Sequence, residues 1–358
     1  MKTTITTTET RPIMKITYSA KGDSGAFECN DGEPLLFAGL RHGVGLPYEC
    51  ATGTCGTCRA RIADGDATTA WSDAPGHSYV KAEQREVLMC QAVPDGDCAI
   101  KVPAKVQALP GHAPHWSSGE ITAVQSLTHD VKAFTIAIED AMDFDAGQFV
   151  VLYAPGLEGG RAYSMTNYAA KTTGLDFVVK RLPGGGFSDW LFNHDVAGAE
   201  LRLFGPLGRA TFRPEEDRNV LCLGGGSGIA GMMSILSRAV AVDYFKSHTG
   251  AVFFGVRTAA DVFFLDQLSA YATAYPDTLS VTIALSDEDT LTDIIGRYPG
   301  LDFATGFVHA VASERMAGRY DDVVAYIGGP PPMVDGALRM LILEARLPGS
   351  DVRYDKFG

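Results

Sequence analysis

Three cysteines within nine residues constrain this chain more than any other feature. Cys50, Cys55 and Cys58 have the spacing C-x4-C-x2-C, and Cys90 follows well downstream. Two irons can share four thiolates if one tight loop delivers three of them, and this spacing with a distant fourth cysteine is the plant-type 2Fe–2S ligand pattern. The residues between them (Ala51, Thr52, Gly53, Thr54, Gly56 and Thr57) are small enough for the backbone to wrap a cluster and aim N–H groups at its sulfurs. A structural zinc site is the alternative, but such sites usually pair two short C-x-x-C knuckles, and one short pair is present here. Six of the seven cysteines lie between Cys29 and Cys98, a clustering that points to metal or redox chemistry rather than a disulfide scaffold. Cys29 and Cys98 fall in strand-like runs and read as small buried apolar residues.

With 358 residues, the chain is long enough for two or three domains. Strands are expected at residues 15–19, 25–29, 58–62 and 99–102, with a short helix at 33–41. Residues 104–118 have the composition of a linker. Short β-rich runs at 120–124, 131–138, 148–153, 175–180 and 200–204, punctuated by Gly, Pro and Asp, predict a small antiparallel barrel. From residue 219 the pattern alternates. Strands at 220–223, 251–256, 279–285 and 323–327 are interleaved with helices at 229–242, 261–274 and 333–345. That alternation predicts a parallel sheet with helices on both faces.

Two further constellations sit on this frame. Arg161, Ala162, Tyr163 and Ser164 follow a strand, and Gly184, Gly185, Gly186, Phe187 and Ser188 precede a short helix whose N–H groups can hold phosphate. A flavin needs a cation for its pyrophosphate, an aromatic face for its ring and a donor near N5. Arg161, Tyr163 and Ser164 supply these in order. A barrel strand with a surface arginine is the bland reading of the same residues, and the neighbouring regions favour flavin. Gly224 to Gly228 then stand at a strand–helix junction without the G-x-G-x-x-G spacing. Gly328, Gly329 and Pro330 occupy the corresponding junction after a later strand. Two open loops on the carboxyl edge of one parallel sheet form a cleft for an elongated cofactor. After the strand at 251–256, Arg257 is the one cation and Asp261 would repel a 2′-phosphate, so NADH is expected rather than NADPH.

In this order the residues resemble the iron–sulfur flavoprotein reductases of bacterial multicomponent oxygenases, over nearly the whole chain from Met14 onward. The resemblance implies a multidomain fold. An α+β β-grasp ferredoxin domain at 14–104 precedes an antiparallel β-barrel FAD domain at 118–214 and an α/β parallel-sheet NAD-binding domain at 219–358. It implies that Cys50, Cys55, Cys58 and Cys90 bind the cluster. Arg161, Ala162, Tyr163 and Ser164 match the first flavin motif, and Lys180, Gly186, Phe187 and Ser188 the second. Gly225, Gly226, Ser227 and Gly228 match the first nicotinamide-nucleotide loop. Gly329, Pro330 and Met333 match the second, and Phe357 resembles a terminal aromatic that covers the flavin. Ser164, Tyr163 and Phe357 are the expected catalytic set. One departure stands out: Gly328 occupies the place where the family usually has a cysteine. Because the cofactors carry the chemistry, Gly328 is expected to alter hydride-transfer efficiency rather than abolish it.

The implied activity is electron transfer from NADH through FAD and a 2Fe–2S cluster to an oxygenase component or an intermediary ferredoxin. Residues 71–76 incline the reading toward a monooxygenase of aromatic or hydrocarbon substrates rather than a Rieske dioxygenase. A stand-alone flavin reductase and a non-enzymatic redox sensor are the rivals from other classes. A net charge of −13 argues against nucleic acid or an anionic membrane as partner. No stretch reaches the roughly 20 apolar residues of a membrane helix, and no signal-type segment opens the chain, so a cytoplasmic protein is expected; one copy of each cofactor site allows a monomer.

Overall fold

The computed structural model of the protein describes residues 12–109, 111–288, 291 and 296–356. The chain divides into two compact units, Met1–His115 and Trp116–Gly358.

In the first unit, β1 (Ile13–Ala20) and β2 (Asp23–Asn30) form an antiparallel hairpin. Met14 and Ile16 point inward while Lys15 and Thr17 face out, as the two-residue period of a strand requires. α1 (Leu35–Arg41) follows Pro34 and buries every residue from Leu35 to Leu40. The unit continues through β3 (Val44–Gly45), β4 (Arg59–Asp64), β5 (Ala67–Thr69), β6 (Glu86–Leu88), β7 (Ala92–Pro94), β8 (Cys98–Lys101) and β9 (Gln107–Ala108). Its main sheet runs β2-β1-β8-β4-β6, with β1 and β8 parallel and the other described pairs antiparallel. One helix beside a mixed five-stranded sheet is the β-grasp layout expected. The linker-like stretch contains structure that its composition hides. Gln107 and Ala108 pair with Gly45 and Val44, and the next strand starts at His115. Strand pairing is decided by the partner across space, so local composition misses it.

The second unit begins with six strands. They are β10 (His115–Ser126), β11 (Val131–Met142), β12 (Phe149–Tyr153), β13 (Arg161–Ser164), β14 (Thr172–Lys180) and β15 (Glu200–Leu207). α2 (Gly186–Asn193) lies between the last two. The order β13-β12-β15-β10-β11-β14 curls until its edge strands β13 and β14 approach one another, closing on a core that includes Ile136, Val150, Leu152, Phe177 and Leu203. This is the antiparallel barrel.

The remaining elements are β16 (Asn219–Gly225), α3 (Ala230–Ala241), β17 (Gly250–Val256), α4 (Leu265–Ala274), β18 (Leu279–Leu285), β19 (Leu301–Thr305), α5 (Val308–Arg315), β20 (Val323–Gly329), α6 (Pro331–Arg339) and β21 (Val352–Lys356). The strands are parallel, in the order β19-β18-β17-β16-β20-β21. The chain therefore winds outward from β16 and returns to its other side at β20. α3 and α4 pack on one face and α5 and α6 on the other, so β20 is buried along its whole length. Three elements escaped the sequence reading: β19 and β21 are edge strands, and α5 has little amphipathic pattern. The helix expected at 261–274 begins at Leu265, because Asp261 closes a capping box with Thr258 and Phe264 has φ 62°. The last helix starts at Pro331, where a missing N–H is harmless, and gives way to a π turn over Met340–Glu344. No helix among the described residues is long and apolar enough to cross a membrane.

Candidate cofactor and nucleotide sites

The four cysteines converge in the first unit. Cys50, Cys55 and Cys58 lie on the loop before β4, and Cys90 follows β6. Cys50, Cys58 and Cys90 are buried, Cys55 is half-buried, and the Sγ atoms of Cys58 and Cys90 are 3.2 Å apart. Backbone N–H groups ring the sulfurs. Thr52 and Cys55 donate to Cys50 Sγ at 3.5 and 3.4 Å, and Thr57 donates to Cys55 Sγ at 3.5 Å. Gly53 makes the turn possible with φ 87°; a Cβ there would press on Ala74 and Gln91. Its carbonyl accepts the Gly76 N–H at 2.7 Å, fastening the loop to residues 74–79. Arg59 braces the same loop, donating to the carbonyls of Gly56 and Tyr79 at 3.0 and 2.8 Å.

The four sulfurs differ in their surroundings. The Cys55 thiol and nearby amides, acting against burial, hold Cys50 down to about 5. Donation to Cys50 and burial push Cys55 up, and donation to Cys58 and burial push Cys90 up. Four sulfurs brought together among N–H donors suit a 2Fe–2S cluster. Cys29 and Cys98 are buried elsewhere in the sheet, and burial pushes the Cys29 thiol up to about 12.

In the barrel, β13 pairs with β12 so that Arg161 lies opposite Leu152, Ala162 opposite Val151, Tyr163 opposite Val150 and Ser164 opposite Phe149. Strand alternation puts Arg161 and Tyr163 on one face and Ala162 and Ser164 on the other. The Tyr163 ring lies 4.9 Å from that of Phe187, and burial raises its phenol above the ordinary value while Arg161 opposes the shift. Arg161 reaches over the start of α2, its guanidinium 4.0 Å from where a Cβ on Gly186 would stand. The first turn of α2 holds Gly186, Phe187 and Ser188, ahead of the bond from Asp189 N–H to the Gly185 carbonyl at 2.8 Å. Their N–H groups precede the helix ladder and face a cation, a setting that fits a pyrophosphate. The Ser188 hydroxyl itself spans the turn, accepting from Leu182 N–H and donating to Leu182 O at 3.0 Å. Ser164 faces α3, its Oγ 3.8 Å from where a Cβ on Gly231 would be.

Lys180 is drawn to a residue that sequence reasoning missed. Its ammonium meets the Asp130 carboxylate, to which Arg257 also comes within 3.9 Å. His129 lies 3.7 Å from Asp130 and 4.0 Å from Asp261. Burial works against ionisation of Asp130, but Lys180 prevails and holds the carboxyl below its ordinary value. A residue assigned to flavin and one assigned to nucleotide thus meet in a single charged cluster between barrel and sheet. Nothing in the sequence marks Asp130, because the contact spans 50 residues.

The two glycine loops meet at the point where the strand order reverses, between the carboxyl ends of β16 and β20. Gly226, Ser227 and Gly228 form a 3₁₀ turn leading into α3. Gly228 and Gly328 approach backbone to backbone: a Cβ on Gly228 would strike Gly328 and the Gly329 nitrogen, and a Cβ on Gly328 would strike the Gly228 carbonyl. Pro330 and Met333 close on Gly225, 3.3 and 3.2 Å from where its Cβ would be. Two hydrogen bonds fix this edge to the barrel, from Ser234 Oγ to the Asn167 carbonyl at 2.8 Å and from Gly147 N–H to Ser234 Oγ at 3.4 Å. Asp355 and Lys356 of β21 pair beside Gly328 and Gly329; Phe357 lies outside the described residues.

Comparison with known proteins agrees with this sequence of sites. Residues 20–95 match a 2Fe-2S iron-sulfur cluster binding domain, 118–212 an oxidoreductase FAD-binding domain, and 222–339 an oxidoreductase NAD-binding domain. These matches define an oxidoreductase with iron–sulfur, flavin and nicotinamide domains in one chain. The chain is 35% identical over 332 residues to ferredoxin–NAD(P)(+) reductase CarAd of Metapseudomonas resinovorans, covering 92% of this chain and 96% of that one. It is 32% identical to the ferredoxin–NAD(+) reductase component of the alkene monooxygenase system of Xanthobacter autotrophicus, covering 94% and 98%. The solved ferredoxin reductase in carbazole 1,9a-dioxygenase superposes with a TM-score of 0.80 at 32% identity, over 97% of this chain and 99% of that one. The chain belongs to the family of iron–sulfur flavoprotein reductases whose members include components of monooxygenase and dioxygenase systems.

Proposed function

We propose that this protein is the NADH-oxidising reductase component of a multicomponent monooxygenase acting on aromatic or hydrocarbon substrates, delivering electrons to the oxygenase or to an intermediary ferredoxin. The observation that most supports the reading is the meeting of two glycine loops at the reversal point of a parallel sheet, joined to a barrel carrying Arg161, Tyr163 and Ser164. When bound, FAD accepts electrons in pairs from the nicotinamide, and the 2Fe–2S cluster passes them on one at a time.

The protein's part is to hold, orient and exclude water. In this reading the domains span 14–104, 118–214 and 219–358. Cys50, Cys55, Cys58 and Cys90 supply the thiolates. Arg161 and the first turn of α2, with Gly186, Phe187 and Ser188, hold the pyrophosphate. Tyr163 offers an aromatic face, while Ala162 and Ser164 lie on the other face of the strand, where Ser164 supplies a hydroxyl on the side of the nucleotide domain. Gly225, Gly226, Ser227, Gly228, Gly329, Pro330 and Met333 receive the nicotinamide nucleotide. Phe357, outside the described residues, is assigned by resemblance alone to cover the flavin until nicotinamide stacks there. Lys180 acts by holding Asp130, and so orders the barrel edge that faces Arg257. The Arg257–Asp261 turn favours NADH, and the protein works as a cytoplasmic monomer.

A second reading, service to a ring-hydroxylating dioxygenase, is favoured by the similarity to the reductase of carbazole 1,9a-dioxygenase. The test of the electron path is anaerobic titration with NADH, followed in the visible spectrum. Bleaching of flavin and iron–sulfur bands at about three electrons per chain, two for a flavin and one for a cluster, supports it. Bands that ignore NADH refute it, and a kcat/KM that favours NADPH refutes the nucleotide assignment.

A further inference from the structure

A basic groove lies on the exposed face of the ferredoxin-domain sheet of a chain whose net charge is −13. Its cavity is about 440 Å³, and Lys21, Arg59, Arg61 and Lys101 line it with one carboxylate, Glu86. Four cations less one carboxylate leave three positive charges in a small volume. The register explains how they are concentrated. Ser19 lies opposite Lys101, Lys101 opposite Arg61, and Arg61 opposite Glu86, a row that crosses four strands. Arg61 and Lys101 are therefore like charges in direct cross-strand opposition, an arrangement that destabilises a sheet unless something neutralises it. Glu86 offsets one of these charges, and one of its oxygens also accepts the Lys81 N–H at 2.9 Å. Among the described residues, the side chains of Lys21, Arg61 and Lys101 form no ion pair.

The groove also adjoins the cysteine loop. Arg59, which lines it, directly follows Cys58 and donates to the carbonyls of Gly56 and Tyr79. Tyr79 leaves 57% of its surface exposed, an aromatic side chain at the edge of that loop. Resting on the reading that this chain reduces a protein acceptor, we propose that the groove seats an acidic segment of that acceptor, with Lys21, Arg61 and Lys101 pairing its carboxylates. The shape favours a polypeptide over a small anion. Lys101 and Arg61 sit on neighbouring strands about 4.8 Å apart, with Lys21 in the turn after β1, along an open face where a run of carboxylates can meet them one by one. Docking there would bring the acceptor beside the loop of Cys55 and Cys58, and opposite charges would steer the encounter.

The test uses the oxidised holoprotein and a fluorescent decaglutamate peptide, with binding read by anisotropy at low and at raised salt. Arg61→Glu with Lys101→Glu should weaken binding by at least about tenfold, since each reversal turns an attraction into a repulsion. The milder pair Arg61→Gln and Lys101→Gln should weaken it in the same direction by less, which keeps the test valid if the double reversal does not fold. Arg319→Glu, an exposed charge on the other unit, should leave binding unchanged. Anaerobic bleaching of the flavin and iron–sulfur bands by NADH should be the same in the Gln pair as in wild type, showing an intact electron path to the cluster. Equal peptide binding by wild type and both double variants overturns the proposal, as does wild type that binds inorganic pyrophosphate but no peptide. Failure of the reductase reading is seen separately, as cofactor bands that NADH does not bleach. That outcome would overturn the electron acceptor as the occupant even if the peptide binds.

Discussion

Gly328→Cys places in this chain the residue that the family usually carries, and the geometry makes it costly. A Cβ at position 328 would strike the carbonyl oxygen of Gly228 and come within 2.9 Å of Met232 Cε. The methionine end can rotate away. The carbonyl cannot, because Gly228 is itself pressed against the backbone of Gly328 and Gly329. Relief therefore requires the two nucleotide loops to part. Forcing extra atoms into a packed site costs about 1–3 kcal/mol. If the joined loops are the binding-competent form, that corresponds to about a 5- to 150-fold loss in apparent NADH affinity. It should also lower Tm by about 2–4 °C for each kcal/mol in a unit of this size. Differential scanning fluorimetry of the holoprotein, KM for NADH and stopped-flow flavin reduction at saturating NADH would measure the three effects. The expected outcome is a lower Tm and a higher KM, with a smaller change in the rate at saturation. Gly328→Ala should act in the same direction, separating the effect of Cβ from that of the thiol. An unchanged Tm with unchanged KM in both variants would refute the contact between the two loops.

Other outcomes follow from the sites. Arg161→Ala removes the cation above the first turn of α2 and should weaken FAD binding by about 10- to 150-fold, the worth of a charge-assisted hydrogen bond, read as FAD lost on gel filtration. Full FAD retention would remove Arg161 from the site. Cys55→Ser should abolish the iron–sulfur absorbance and lower iron per chain, whereas Cys29→Ser should keep both. Asp130→Asn should alter acid stability. Because the folded-state pKa of Asp130 is depressed, its contribution is present above the unfolded carboxyl value and is lost as pH falls through the folded one. Thermal unfolding followed from about pH 5 downward should be less pH-dependent in the variant, and an identical profile would refute the Lys180–Asp130 pairing.

The chemistry-bearing spacings were legible because they are local. A loop that must present three thiolates shows its cysteines within nine residues, and strand–glycine–helix junctions show themselves as apolar runs that end in glycine. The parallel sheet was legible too, since its buried strands read as continuous apolar segments. Less legible were elements with weak local signals: the edge strands β19 and β21, the sparsely patterned α5, and the pairing of Gln107 and Ala108 inside an apparent linker.

Sequence alone therefore determined which cofactors the chain is built to carry, because ligand type and spacing along the backbone set what a loop can hold. Tertiary structure decided which groups meet. It drew Lys180 and Arg257 onto Asp130, turned Ser164 toward α3, pressed Gly228 against Gly328, and gathered Arg61 and Lys101 into one groove. Each of those contacts joins residues far apart in the chain, and register and packing across space, rather than local preference, decide them.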